Sequence, residues 1–132
     1  MQFVQTLSAP AGRFFLALIF VMSGINKISG YAATQGYMEA MGVPGLLVYP
    51  VIALEIAGGL AIIAGWLTRP TALALAAFTL IAGVIFHSNF ADQMQMILFM
   101  KNVAITGGLL LLAVHGAGAF SVDTRQPAIA AH

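Results

Sequence analysis

No cysteine occurs among the 132 residues of the chain. That excludes a disulfide framework, a thiol redox relay and any Cys-based metal site. Charge is almost as scarce. Five Lys and Arg and four Asp and Glu make up 7% of the chain, against about 25% in a soluble globular domain. There is no basic run and the formal net charge is +1, so nucleic acid is not an expected partner. The strict alternation of a β-barrel is also missing, which leaves helices as the form that can satisfy a backbone inside lipid. Apolar side chains are what the chain has in quantity: they are 61% of all residues, and the mean hydropathy is +0.98. One domain embedded in a bilayer is the architecture expected at this length.

Crossing hydrocarbon takes about 20 mainly apolar residues. Four segments qualify: about Pro10 to Ile28, about Pro44 or Pro50 to Trp66, Arg69 to His87, and about Gln95 to Val114. Ser8 ahead of Pro10, and Thr68 ahead of Arg69-Pro70, read as N-caps followed by a first-turn proline. Residues 1–12 carry no Lys or Arg and no A-x-A cleavage pattern follows. The first apolar stretch is therefore expected to be a retained span and not a signal peptide. Residues 32–42, AATQGYMEAMG, are too short and polar to cross. Tyr37, Met38 and Met41 on one face, with Gly42 as the stop, predict an amphipathic helix in the interface. The expected fold class is all-α: a polytopic bundle of four transmembrane helices in two hairpins, with a short interfacial helix between spans one and two. The membrane domain covers residues 10–116, between an N-terminal segment, 1–9, and a loosely ordered C-terminal tail, 117–132.

An even number of spans puts both termini on one side. Arg13, Arg69 and Arg125 fall on that side and Lys27 on the other, so both termini are expected in the cytoplasm. Tyr31, Tyr37 and Tyr49 on one side and Trp66 on the other would anchor the interfaces. Ile56-Ala57-Gly58-Gly59-Leu60 faintly repeats as Ile105-Thr106-Gly107-Gly108-Leu109, as two hairpins in one orientation would.

Glu55, His87, Lys101 and Asn102 interrupt or end these apolar spans. An ionisable side chain in lipid costs on the order of 2.5–3.5 kcal/mol on insertion scales, so each calls for a partner or a function. At 1.5 Å per residue, Glu55 lies roughly 8–16 Å and Lys101 roughly 9–13 Å from the outer ends of their helices. They overlap in depth, and a Glu55–Lys101 ion pair is expected. Arg13, Ala17, Phe20, Gly24 and Lys27 share a stripe on the first helix. Gly58 and Gly59 let a neighbour approach the Glu55 face closely. The candidate ligand-binding residues are Lys27, Glu55, His87, Lys101 and Asn102, with Arg13, Ser23, Asn26 and Arg69 as secondary polar positions. All but Arg13 and Arg69 belong to the outer half. Plainer readings stand beside these. The ion pair can simply fix helix register, Arg13, Lys27 and Arg69 can snorkel to headgroups, and His87 can be an interfacial residue. A bis-histidine haem does not fit, because His87 and His115 end helices on opposite sides of about 30 Å of hydrocarbon. His132 is in the tail, and no metal cluster is present in the sequence.

Gly12-Arg13 opens the first helix, Ser23-Gly24-x-x-Lys27 closes it, Glu55-x-x-Gly58 lies in the second and Lys101-Asn102 in the fourth. With Gly116-x-Gly118-x-x-Ser121-x-Asp123 after the last span, this order resembles the DoxX family over about residues 10–123. The resemblance implies a four-helix bacterial inner-membrane protein. It also implies, for some members, a small subunit of a quinone-linked oxidoreductase or of a system handling oxidative stress. On that reading the chain is an accessory or anchor subunit and not an enzyme on its own. It has no intrinsic cofactor and offers a pocket for a quinone or an oxyanion. Lys101 or Asn102 would donate to the ligand oxygen, His87 would exchange a proton, and Glu55 would hold Lys101. The expected partners are the lipid bilayer, a membrane or peripheral oxidoreductase subunit, and a second copy of the chain. A small-solute or lipid transporter, and a purely structural membrane partner, are the alternative readings.

Overall fold

The computed structural model describes residues 2–125. The side chains of Gln2, Gln5 and Arg125, and the tail beyond them with His132, lie outside the described residues. Among the described residues five α-helices follow one another: α1 (Gln2–Ser29), α2 (Tyr31–Ala40), α3 (Val48–Ala64), α4 (Thr68–Phe86) and α5 (Gln93–His115). A 3-10 turn, Gly45–Leu47, leads into α3. Four stretches of the described residues are long and apolar enough to cross a membrane: Thr6–Ser29, Gly45–Ala64, Thr68–Phe86 and Gln93–His115. The bundle is all-helical, as expected, with no strand among the described residues.

Packing follows the order of the spans. α1 packs mainly on α3 and α4 mainly on α5, while α3 and α4 share a smaller seam and α1 and α5 touch more lightly still. The result is two antiparallel hairpins laid side by side. Their common core is small: Ala17, Phe20, Ile62, Ala72, Leu75, Ala76, Leu109 and Ala113. Phe15, Leu46 and Leu111 lie on the outside, where hydrocarbon replaces a protein core. α1 and α3 come close because of Gly59. A Cβ there would stand 2.7 Å from Val21 Cγ2 and 3.3 Å from the Ala17 carbonyl oxygen.

Two expected helix starts differ. α1 reaches back to Gln2 and carries Pro10 inside it, so Ser8 is no N-cap, and the proline forfeits one backbone hydrogen bond. The start of α4 is held by a side chain far along the chain. Asp123 accepts from the Leu67 N–H through Oδ1 and the Thr68 N–H through Oδ2, both at 2.9 Å. These are donors that a helix N-terminus leaves free. Asp92 caps α5 in the ordinary way, accepting from the Met94 N–H at 3.0 Å.

The same end of the bundle corrects two further expectations. Arg13 does not snorkel: it is only 2% exposed. Its Nη1 donates to the Ile63 carbonyl at 2.8 Å, and its Nη2 donates to those of Ala119 and Phe120 at 2.8 and 2.7 Å. One guanidinium thereby ties α1 to the end of α3 and to the segment after α5, using a fork of donors suited to several acceptors. Nor is that segment loose up to residue 125. Val122 and Asp123 donate backbone N–H groups to the carbonyls of Ala64 and Gly65, and Ser121 is buried. Gly65, at φ +72°, ends α3 in the left-handed region. A Cβ on it would collide with Ser121 and with Arg13 Nη1, so glycine is required there for both its conformation and its size. Burial pushes the Asp123 carboxyl up. Bonds from the Thr68 and Leu67 N–H groups, together with the Arg13 charge, outweigh that and hold it below the ordinary carboxylate range.

Candidate functional site

At the opposite end, the four spans part around a cavity of about 330 Å³. Its walls are Ile19, Phe20, Ser23 and Lys27 of α1, Val51 and Glu55 of α3, and Phe78, Thr79, Ala82, Phe86 and His87 of α4. Lys101, Asn102 and Ile105 of α5 complete them. α2 lies across the top with Thr34, Tyr37 and Met38. Of the predicted residues, Lys27, Glu55, His87, Lys101, Asn102 and Ser23 all meet here.

The predicted Glu55–Lys101 pair does not form. Glu55, 4% exposed at its side chain, meets Lys27 instead, with Nζ 2.8 Å from Oε1. The reason is hairpin pairing. α3 packs on α1, and Glu55 lies beside Gly24, whose built Cβ would be 3.4 Å from that of Glu55. Lys27 is one turn further along the same stripe, whereas α5 packs on α4. Equal depth made Lys101 a candidate, but a neighbouring helix face decided the partner. Lys27 Nζ also donates to Ser23 Oγ at 2.6 Å. Glu55 Oε1 receives no directed hydrogen bond, so charge holds the carboxylate. Lys101 is exposed, has no acidic partner among the described residues, and turns its side chain toward the cavity wall.

The other polar groups are held in place. Asn102 Nδ2 donates to the Thr79 carbonyl at 3.1 Å. It fits against Gly83, where a Cβ would be 3.1 Å from the Asn102 Cβ. Thr106 and Thr79 hydroxyls donate back to the Asn102 and Leu75 carbonyls at 2.8 and 2.7 Å. His87 Nδ1 pairs with Gln95 Oε1 at 2.9 Å, which fixes the ring. Tyr37 stacks on Phe86 with ring centroids 5.3 Å apart.

Arg13 and Arg69 take no part. Arg13 is in the knot described above. Arg69 is exposed and lies beside Gly116 at the same far end. Asn26 borders a neighbouring hollow of about 320 Å³, shared with Ile19, Met22, Ser23, Lys27 and Thr34. Sequence reasoning missed α2 as a wall of the site. Met38 is buried against the bundle, although the polar, short helix reads as a surface element. The signal was the apolar face of Tyr37, Met38 and Met41 in an otherwise polar segment. Among the described residues no group of three or more His, Asp or Glu side chains could hold a metal ion. The chemistry that remains is two ammonium groups, one buried carboxylate, an amide and an oriented imidazole, set in an aromatic and aliphatic chamber.

The profile of the DoxX family matches residues 9–88. "Inner membrane protein YqjF" of Escherichia coli is 50% identical over 123 residues, covering 93% of this chain and 95% of that protein. "Inner membrane protein YphA" of the same organism is 38% identical over 86% of each chain. "Putative oxidoreductase CatD" of Bacillus subtilis is 30% identical over 78% of this chain and 72% of that protein. No solved structure matches the chain.

Proposed function

The chain belongs to the DoxX family, and from that premise we propose that it is an accessory or anchor subunit of a quinone-linked membrane oxidoreductase. The observation that carries this reading is the cavity, where Lys27, Lys101, Asn102 and His87 line a largely apolar wall. A quinone head presents two carbonyl oxygens on a flat apolar ring. Lys101, which has no acidic partner among the described residues, would donate to one oxygen, and the space between Phe78 and Phe86 would take the ring. His87, backed by Gln95, would exchange the proton that accompanies reduction. Glu55 balances the charge of Lys27, so the pocket keeps one uncompensated ammonium.

The word oxidoreductase in the name of the Bacillus subtilis relative supports this reading. The Escherichia coli relatives are named as inner-membrane proteins, and contact with the lipid bilayer follows from the four apolar spans. Both termini in the cytoplasm, a partner oxidoreductase subunit and association with a second copy belong to the same proposal. The transporter reading calls for a helix broken near midplane, and α1, α4 and α5 run through without one.

The test is to purify the chain in mild detergent and assay extracted quinone and co-eluting proteins. Lys101→Met should lower bound quinone and weaken the stabilisation given by a short-chain analogue. If no quinone is retained and no analogue raises the melting temperature of the wild-type chain, the quinone site is refuted.

A further inference from the structure

We infer that the cavity is loaded sideways from the membrane. Its ligand is then an amphiphile whose head lies between Lys27 and Lys101 and whose apolar chain leaves past Ile19 through the seam between α1 and α5. The inference rests on the quinone reading for the head and adds the chain and its route.

Three observations carry it. First, α1 and α5 pack far more lightly than α1 on α3 or α4 on α5, yet both line the cavity, α1 through Ile19, Phe20, Ser23 and Lys27 and α5 through Lys101 and Ile105. On α5, Lys101, Ile105, Gly108 and Leu112 are spaced i, i+4, i+7 and i+11, so they share one face. The seam closes at Gly108, where a Cβ would stand 3.5 Å from Leu16 Cδ1. The stretch between that closure and the two lysines belongs to the cavity wall.

Second, a separate hollow adjoins the cavity along α1. The adjoining hollow of about 320 Å³ shares Ile19, Ser23, Lys27 and Thr34 with it and adds Met22 and Asn26. Met22 is 50% exposed and Ile19 38%, and both lie on the outer face of α1. Ile19 thus lines the cavity and is also open to the side of the bundle that faces lipid. The end facing water is covered by α2, with Met38 buried and Tyr37 stacked on Phe86.

Third, the two ammonium groups flank this opening from opposite helices. Lys27 is held by Glu55 and Ser23, and Lys101 has no acidic partner among the described residues. A head with two electron-rich oxygens spans them, while a chain of methylenes or isoprenes stays in hydrocarbon and costs no dehydration of the site. A water-soluble ligand would have to pass α2 instead.

The experiment uses the wild-type chain in lipid nanodiscs and two fully substituted benzoquinones. One has no tail. The other carries a decyl tail ending in a photoreactive diazirine. Illumination followed by peptide mass spectrometry is expected to place the adduct on Leu16, Ile19, Ile105, Gly108 or Leu112, with excess tailless quinone suppressing it. Gly108→Leu, which fills the seam at a position outside the cavity wall, should weaken binding of the tailed compound by about tenfold and leave that of the tailless one within about threefold. If tailless quinone stabilises the chain but the suppressible adduct falls on α2 or on the α3–α4 seam, lateral loading is overturned and the quinone site stands. If neither quinone stabilises the chain and no suppressible adduct forms, both fall.

Discussion

Removing Lys27 should cost the protein more than removing its partner. Lys27→Met strands the Glu55 carboxylate, which is 4% exposed and receives no directed hydrogen bond. Breaking a buried pair from one side typically costs about 3–5 kcal/mol. Glu55→Gln leaves the opposite problem in a milder form. Lys27 is 24% exposed at its side chain and sits in the last turn of α1, where carbonyl groups favour a cation. It also keeps Ser23 and can reach toward the headgroups, so the expected loss is about 1–2 kcal/mol. The double variant should recover most of the larger loss. The assay is thermal unfolding in detergent, followed by fluorescence of Trp66, the only tryptophan in the chain. Lys27→Met should lower the midpoint by on the order of 10 °C. Strictly additive losses, or a coupling of Glu55 to Lys101 larger than that to Lys27, would refute the pairing and the hairpin argument behind it.

Arg13→Lys should destabilise by about 2–3 kcal/mol, because one ammonium cannot serve carbonyls on α3 and on the segment after α5 at once. Denaturant titration in detergent would show it, and a neutral result would mean the fork is not needed. The folded Asp123 carboxyl is held below its ordinary value. Its stabilisation is therefore present above the unfolded carboxyl value near pH 4 and is lost as pH falls through the lower folded value. Asp123→Asn should remove that acid-side loss and cost about 1 kcal/mol at neutral pH. An unchanged pH profile would exclude Asp123 as the cap of α4. A cysteine in place of Gln2 should resist an impermeant thiol reagent added to intact cells while one in place of Asn89 reacts; the native chain has no thiol to confuse the readout. The reverse pattern would invert the orientation.

Hydropathy alone located all four spans, within a few residues at most ends, because the cost of polar groups in hydrocarbon is paid residue by residue along the chain. The depth of Glu55, His87, Lys101 and Asn102 was legible for the same reason, and so was their gathering in one half of the bundle. What depth could not give was rotation. Glu55 has basic residues at compatible depth on two helices, and only the packing of α3 on α1 selects Lys27. Nor does local sequence reveal that Arg13 turns inward, since a cation near a helix end has water within reach until residues 119 and 120 fold over it. Asp123 lies 55 residues from the Thr68 N–H it caps, and no window along the chain contains both. α2 read as a surface helix because its composition is polar; it becomes the roof of the cavity through the burial of Met38 and the stacking of Tyr37 on Phe86, contacts that form when the bundle does.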